Sequence, residues 1–232
     1  MFSFIKKIIF LLVLAVVIIV VYFTYTGYQM YKTATDKISL EDKIAEIQSS
    51  EQYTKLNDIS STYIDALISI EDRRFYLHPG IDIISLARAT FVNIQDKEFE
   101  QGGSTITQQL SKNLYFSQEK KLSRKFAELF VVFQLEKNYT KDEILELYIN
   151  TMYFGSGYYG ICKATKGYFN KLPSELTDYE ATFLAGITNA PSIYSSETHK
   201  DLAKKRQKAV LNAMVNNKKI SQEEANKIYE NE

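Results

Sequence analysis

I-E-D-R-R-F-Y-L-H-P-G-I-D, residues Ile70 to Asp82, lies where one helical pattern stops and another begins. Ahead of it Tyr63, Ala66, Leu67 and Ile70 fall on one face of a 3.6-residue repeat. Glu71 and Asp72 therefore stand where an apolar stripe ends, followed by Arg73 and Arg74. Pro79-Gly80 predicts a turn, because proline fixes φ and glycine accepts backbone conformations that other residues avoid. Asp82 is placed to cap a second helix whose stripe is Ile83, Leu86, Ala87 and Phe91. A carboxylate at the mouth of such a helix-turn-helix suits a general base held between rigid elements. It equally suits a capped turn with solvated charges, and the stretch alone leaves both readings open.

Around this stretch the composition favours helices: of 232 residues 45% are hydrophobic, while glycine and proline number only 9 and 3. Basic and acidic side chains balance at 28 each, which gives no support to nucleic acid as a partner. Cys162 is the only cysteine, so an internal disulfide and a multi-cysteine metal site are excluded. His78 and His199 are far apart with no H-x-x-x-H pair, which argues against a zinc enzyme.

Ile8 to Val21 is uninterrupted apolar sequence, extended by Tyr22 to Tyr25. As a helix, 8–25 reaches roughly 27 Å at about 1.5 Å per residue, enough for a bilayer core. Lys6 and Lys7 precede it, predicting a short cytoplasmic segment 1–7 and an extracytoplasmic remainder on a single-pass anchor in the cell membrane. The rival is a cleaved signal peptide, against which stand the length of the run and the lack of an A-x-A-like site. Tyr22, Tyr25, Tyr28 and Tyr31 fit an interfacial aromatic belt. The polar segment 26–57, with Ser39 and Asp42 spaced like a capping box, reads as a stalk leading to a domain over 58–232.

In Q-G-G-S-T-I-T-Q-Q-L-S-K-N (Gln101 to Asn113) two glycines allow a bend, and Ser104 or Thr105 starts a helix burying Ile106, Leu110 and Leu114. Thr107, Gln108, Ser111 and Lys112 are then expected on the opposite face, like an anion cradle at a helix start. Lys120 to Asn138 is apolar almost all round, yet contains Glu128, with Arg124 one turn before it and Lys125 alongside. A buried acid there is either paired structurally with Arg124 or functional. Thr140-x-x-Glu143 and Thr177-x-x-Glu180 open two more helices as capping boxes. Glu146 and Asn150 share a face that reaches a cleft or the surface, and Tyr153, Tyr158 and Tyr159 stack on sugar or pack.

Four motifs in order, E-D-R-R-F-Y-x-H-x-G-I-D (Glu71 to Asp82), G-G-S-T-I-T-Q-Q-L-x-K-N (Gly102 to Asn113), R-K-x-x-E (Arg124 to Glu128) and I-L-E-L-Y-I-N-x-x-Y-F-G (Ile144 to Gly155), carry a resemblance. They resemble the peptidoglycan glycosyltransferase domain, glycosyltransferase family 51, of class A penicillin-binding proteins and monofunctional biosynthetic transglycosylases. A-P-S-I-Y-S (Ala190 to Ser195) and R-x-x-x-V-L-x-x-M (Arg206 to Met214) add to it. The resemblance implies a mainly α, lysozyme-like helical lobe with a small membrane-proximal lobe, preceded here by one N-terminal transmembrane helix. It implies polymerisation of lipid II into β-1,4-linked glycan strands of peptidoglycan, with release of undecaprenyl pyrophosphate.

By the same resemblance Glu71 matches the base that deprotonates the acceptor 4-hydroxyl, and Glu128 the second glutamate, which assists the leaving group or positions groups around it. Lys112, Arg124 and Lys125 match cations near the pyrophosphate, with Ser104, Gln108, Gln109 and Asn113 lining that site. Lys120 stands where many members carry arginine, keeping the charge without the planar two-pronged grip on phosphate. A divalent cation such as Mg²⁺ is a candidate to bridge the pyrophosphate, although no carboxylate cage is visible. Other cell-wall synthesis proteins are candidate partners. Ser117 to Lys120 fits S-x-x-K, but S-D-N and K-T-G companions are absent, so the expectation is a monofunctional chain. A lysozyme-like glycan-cleaving enzyme and an inactive membrane-anchored scaffold are the alternatives.

Overall fold

The computed structural model describes residues 2–88, 103–116, 121–194 and 200–230. Among them the chain is helical without strands, apart from an isolated antiparallel bridge between Tyr153 and Tyr159. The expectation of a mainly α chain led by one apolar helix therefore holds. That helix, α1 (Phe2–Thr35), is long and apolar enough to cross a membrane, and its side chains from Phe4 to Val21 are exposed.

The rest follows as α2 (Leu40–Gln48), α3 (Ser61–Glu71), a helical segment at 83–88 (α4), α5 (Ile106–Tyr115), α6 (Leu122–Asn138), α7 (Lys141–Thr151), α8 (Ile161–Phe169), α9 (Asp178–Ile187), the short α10 (Pro191–Tyr194), α11 (Lys200–Asn216) and α12 (Gln222–Glu230). α3, α9, α11 and α12 pack as one group; α5, α6 and α7 pack as another, with α1 laid along α6. Tyr63, Leu67, Phe75, Ile106, Leu110, Leu135, Leu147 and Leu184 belong to one continuous core that joins the two groups. Asp82 caps α4 as expected, accepting from the backbone N–H of Ile84 and Ser85 at 3.0 Å each. Ile83 and Leu86 are exposed, and Phe91 lies outside the described residues.

The expectation of a stalk over 26–57 needs correcting. α1 runs ten residues beyond the expected span, and its last turns lie on α6: Phe23 stacks on Phe126, while Tyr28 and Tyr31 both meet Phe130. Leu40 and Ile44, one turn apart on α2, enter the core. The following loop is tied down by α7, whose Glu146 accepts from the Tyr53 hydroxyl and the Leu56 N–H, and whose Asn150 accepts from the Thr54 N–H. Polar composition hid this because the segment is held by a few widely spaced apolar and aromatic side chains and by hydrogen bonds to its backbone. Glu146 and Asn150 thus staple a loop.

Gly27 lets α1 approach α6 tightly. A Cβ there would stand 2.6 Å from the Phe126 Cβ and 3.0 Å from the Ala127 nitrogen. Gly27→Ala provides a test of sign. Helix propensity alone stabilises by about 1 kcal/mol, whereas overpacking costs about 1–3 kcal/mol. We expect the unfolding midpoint of the detergent-solubilised protein to fall; a rise would mean that α1 does not rest on α6.

Candidate active site

Glu71 is the last residue of α3 and is only partly buried. It is held from two other helices. Gln109 Nε2 on α5 donates to its Oε2 at 2.8 Å, and the hydroxyl of Thr188, just after α9, lies 3.3 Å from its Oε1. The Thr188 proton is shared with the Ala185 carbonyl at 2.9 Å. Gln109 is oriented in turn by α7, since the Tyr148 hydroxyl donates to its Oε1 at 3.0 Å.

The next residue fixes where α3 ends. Asp72 is buried and accepts from the Ile106 N–H and from His78 Nε2, both at 3.0 Å. This joins the C-terminus of α3 to the N-terminus of α5, satisfying a helix-end donor that would otherwise be orphaned. Asp82 is equally committed, to its cap, the Ser85 hydroxyl at 2.6 Å and Arg74 at 3.1 Å. Burial pushes the Asp82 carboxyl up, but the Ser85 hydrogen bonds with Arg74 and His78 outweigh it and leave it below its ordinary value.

Across α5 lies the positive side. Lys112 feels Glu128, Lys125, Arg124 and Glu71 electrostatically, which brings all five charges into one neighbourhood. Burial lowers the Lys112 ammonium below the ordinary lysine value, opposed first by Glu128. Glu128 is 1% exposed on α6 and ion-paired with Arg124 and, at 2.8 Å, with Lys125. The Ser111 hydroxyl on α5 donates to the Glu128 backbone carbonyl at 2.9 Å, keying the two helices together. Lys125 Nζ also donates to Ser104 Oγ at 3.4 Å.

Of the residues singled out from sequence, Glu71, Glu128, Ser104, Gln109, Lys112, Arg124 and Lys125 thus converge. Gln108 serves the start of α5, its Oε1 accepting from the Thr105 N–H at 3.0 Å in a capping box. Asn113 is exposed on α5, and Lys120 lies outside the described residues, as do Gln101, Gly102, Ser195, His199 and the S-x-x-K match.

The expected open face of α5 is corrected in two places. Thr107 and Ser111 are fully buried, because α5 is packed by α6 on one side and α7 on the other. The Thr107 hydroxyl donates to Glu136 at 2.6 Å. Thr188 and Tyr148 went unnoticed from sequence. Their roles depend on partners in distant helices, and nothing local to either residue announces them.

Tyr153 packs on Tyr159 at a tilt of 35° with ring centroids 4.7 Å apart, and Tyr158 packs edge-on against Tyr168. A separate groove of about 720 Å³ between α3, α9 and α12 contains none of the residues above.

Asp72, His78 and Asp82 are close enough together to hold a metal ion. His78 Nδ1 is left without a partner, but the carboxylate oxygens of Asp72 and Asp82 are engaged by backbone N–H groups, His78 Nε2, the Ser85 hydroxyl and Arg74, and Glu128 by two cations. These residues do not fit a catalytic divalent cation.

Residues 40–215 match the family model described as Transglycosylase. Penicillin-binding protein 4 of Bacillus subtilis is 43% identical over 76% of this chain and 28% of its own length. Penicillin-binding protein 1A of Neisseria gonorrhoeae is 43% identical over 73% of this chain and 21% of its own. The chain therefore spans about a quarter of the length of these relatives. A solved structure of penicillin-binding protein 1A from Haemophilus influenzae aligns over 78% of this chain and 17% of its own at 23% identity and a TM-score of 0.46. With its family model matched across most of its length, after a helix-packed glutamate and a cation cluster had pointed the same way, this chain belongs to the Transglycosylase family.

Proposed function

We propose that this chain is a peptidoglycan glycosyltransferase that polymerises lipid II into β-1,4-linked glycan strands. The observation that carries the reading is Glu71, a partly exposed carboxylate held by neutral donors and near enough to the Lys112 ammonium to act on it electrostatically, as Arg124, Lys125 and Glu128 also do. Glu71 takes the proton from the acceptor 4-hydroxyl as that oxygen bonds to the donor's anomeric carbon. The bond to the pyrophosphate breaks with inversion, and its electron pair leaves with the undecaprenyl pyrophosphate. An alcohol needs a base within hydrogen-bond reach. A pyrophosphate needs its charge neutralised more than it needs a proton, and cations in a shielded site do this well.

α1 supports the membrane part of the reading. Lys6 and Lys7, ahead of the apolar run, support a cytoplasmic N-terminus with the helical domain outside. Since α1 rests on α6, the cation helix is held close to the bilayer in which the donor's lipid tail lies. The test is incubation of the detergent-solubilised protein with lipid II and, separately, with finished peptidoglycan. We expect strands from the first and no cleavage of the second; the reverse would identify a glycan-cleaving enzyme.

Lys112 gives the reaction a pH signature. An ammonium with a lowered pKa loses its charge sooner as pH rises, so donor KM should climb on the alkaline side. Lys112→Arg carries a guanidinium that stays charged throughout this range, and its alkaline limb should move to higher pH. Superimposable alkaline limbs for the two proteins would remove Lys112 from the donor site.

A further inference from the structure

We propose that Tyr148 is a positioning residue for the reaction: by donating to Gln109 Oε1 it turns the Gln109 amide so that its NH₂ group faces Glu71. The inference rests on the reading of Glu71 as the base.

A glutamine side chain has two amide orientations that differ little in shape and oppositely in hydrogen bonding. In the observed one Nε2 donates to Glu71 Oε2 at 2.8 Å and Oε1 accepts from the Tyr148 hydroxyl at 3.0 Å. In the other, Oε1 would meet the Glu71 carboxylate oxygen at the same short range, lone pairs against lone pairs. Glu71 alone favours the first orientation only when ionised. Tyr148 favours it independently, because in the flipped orientation its oxygen would have to accept from the NH₂ group and its own buried proton would lose the Oε1 acceptor.

Tyr148 is suited to act as a fixed donor. It is 2% exposed on α7, wedged into the core, and burial, followed by the nearby Glu71, pushes its phenol well above the ordinary tyrosine value. It therefore remains protonated wherever Glu71 works as a base. Gln109 from α5 and Thr188 from just after α9 each hold one oxygen of Glu71, which is itself only partly buried. A phenol that never touches substrate thus sets the direction in which the base presents its lone pairs.

The test is a double-mutant cycle on the full chain with lipid II. Tyr148→Phe should lower kcat about tenfold, the scale of one buried hydrogen bond, with donor KM within about twofold and the unfolding midpoint little changed. Gln109→Ala should lower kcat at least as far. The double variant should be no slower than Gln109→Ala, because Tyr148 acts through Gln109 alone. Losses that multiply in the double variant, or an unchanged kcat in Tyr148→Phe, would overturn the proposal. Should Tyr148→Phe fail to fold, Gln109→Met carries the test on the half-exposed side of the pair: a kcat loss at wild-type KM supports the relay and an unchanged kcat overturns it. Wild-type protein that makes no strands would bring down the polymerase reading and this inference with it. Wild-type turnover with multiplying losses would bring down this inference alone.

Discussion

Replacing Glu71 by glutamine is expected to slow strand synthesis from lipid II by about 10²–10⁴-fold, the range contributed by a positioned general base, while the unfolding midpoint stays within about 2 °C. Glutamine matches the size of glutamate and keeps one carbonyl oxygen, which accepts from Gln109 at the position of Oε2; the longer 3.3 Å contact with Thr188 is given up, but the Thr188 hydroxyl keeps the Ala185 carbonyl. Asp72, which joins α3 to α5 through the Ile106 N–H, is untouched. What disappears is the ability to take a proton. Binding of the donor should survive, because Lys112, Arg124 and Lys125 come from α5 and α6 rather than from α3. The expected signature is therefore a collapse of kcat at nearly unchanged donor KM in an intact fold. A rate near wild type would mean that the acceptor is deprotonated elsewhere.

How far the sequence foretold this site depends on how local each signal was. The starts of α7 and α9 were legible because a capping box closes within four residues, as Thr140 and Glu143, and Thr177 and Glu180 do; at α5 the sequence left Ser104 or Thr105 open, and the structure makes the box with Thr105 and Gln108. The end of α3 at Glu71 was legible from an apolar stripe meeting a turn. The buried faces of Thr107 and Ser111 were not, because periodicity divides a helix into one wet and one dry side. α5 is dry on two sides and satisfies its hydroxyls with Glu136 and the Glu128 carbonyl. Nothing in the sequence around Tyr148 sets it apart from the apolar positions beside it on α7. Its hydroxyl matters only because packing brings it to Gln109, 39 residues away. Glu128 stood between these cases. Sequence showed an acid that had to be paired or functional, and its pairing with both Arg124 and Lys125 gives it a part in arranging the cations.

Glu128→Ala is the second large effect, and it should fall on stability and donor binding together. Removing one partner of a buried ion pair costs about 3–5 kcal/mol, which in a domain of this size corresponds to a midpoint about 10 °C lower. The cost arises because Arg124, itself 7% exposed, keeps its charge after its carboxylate is gone. The three cations then repel one another without Glu128 among them, so the arrangement that meets the pyrophosphate loosens and donor KM should rise at least tenfold. Glu128→Gln distinguishes this from proton donation to the leaving group. If Glu128 worked by protonation, the amide would abolish kcat in a protein as stable as wild type. If it holds the cations, the amide should lower the midpoint part of the way and raise KM, with kcat much less affected. The Arg124→Ala, Glu128→Ala double variant should recover some of the lost stability, because deleting both members leaves neither charge stranded in the interior. A Glu128→Ala protein with a wild-type midpoint would show that the buried pair is not what fixes α6. The cation cluster would then have to be held by the substrate rather than prepared for it.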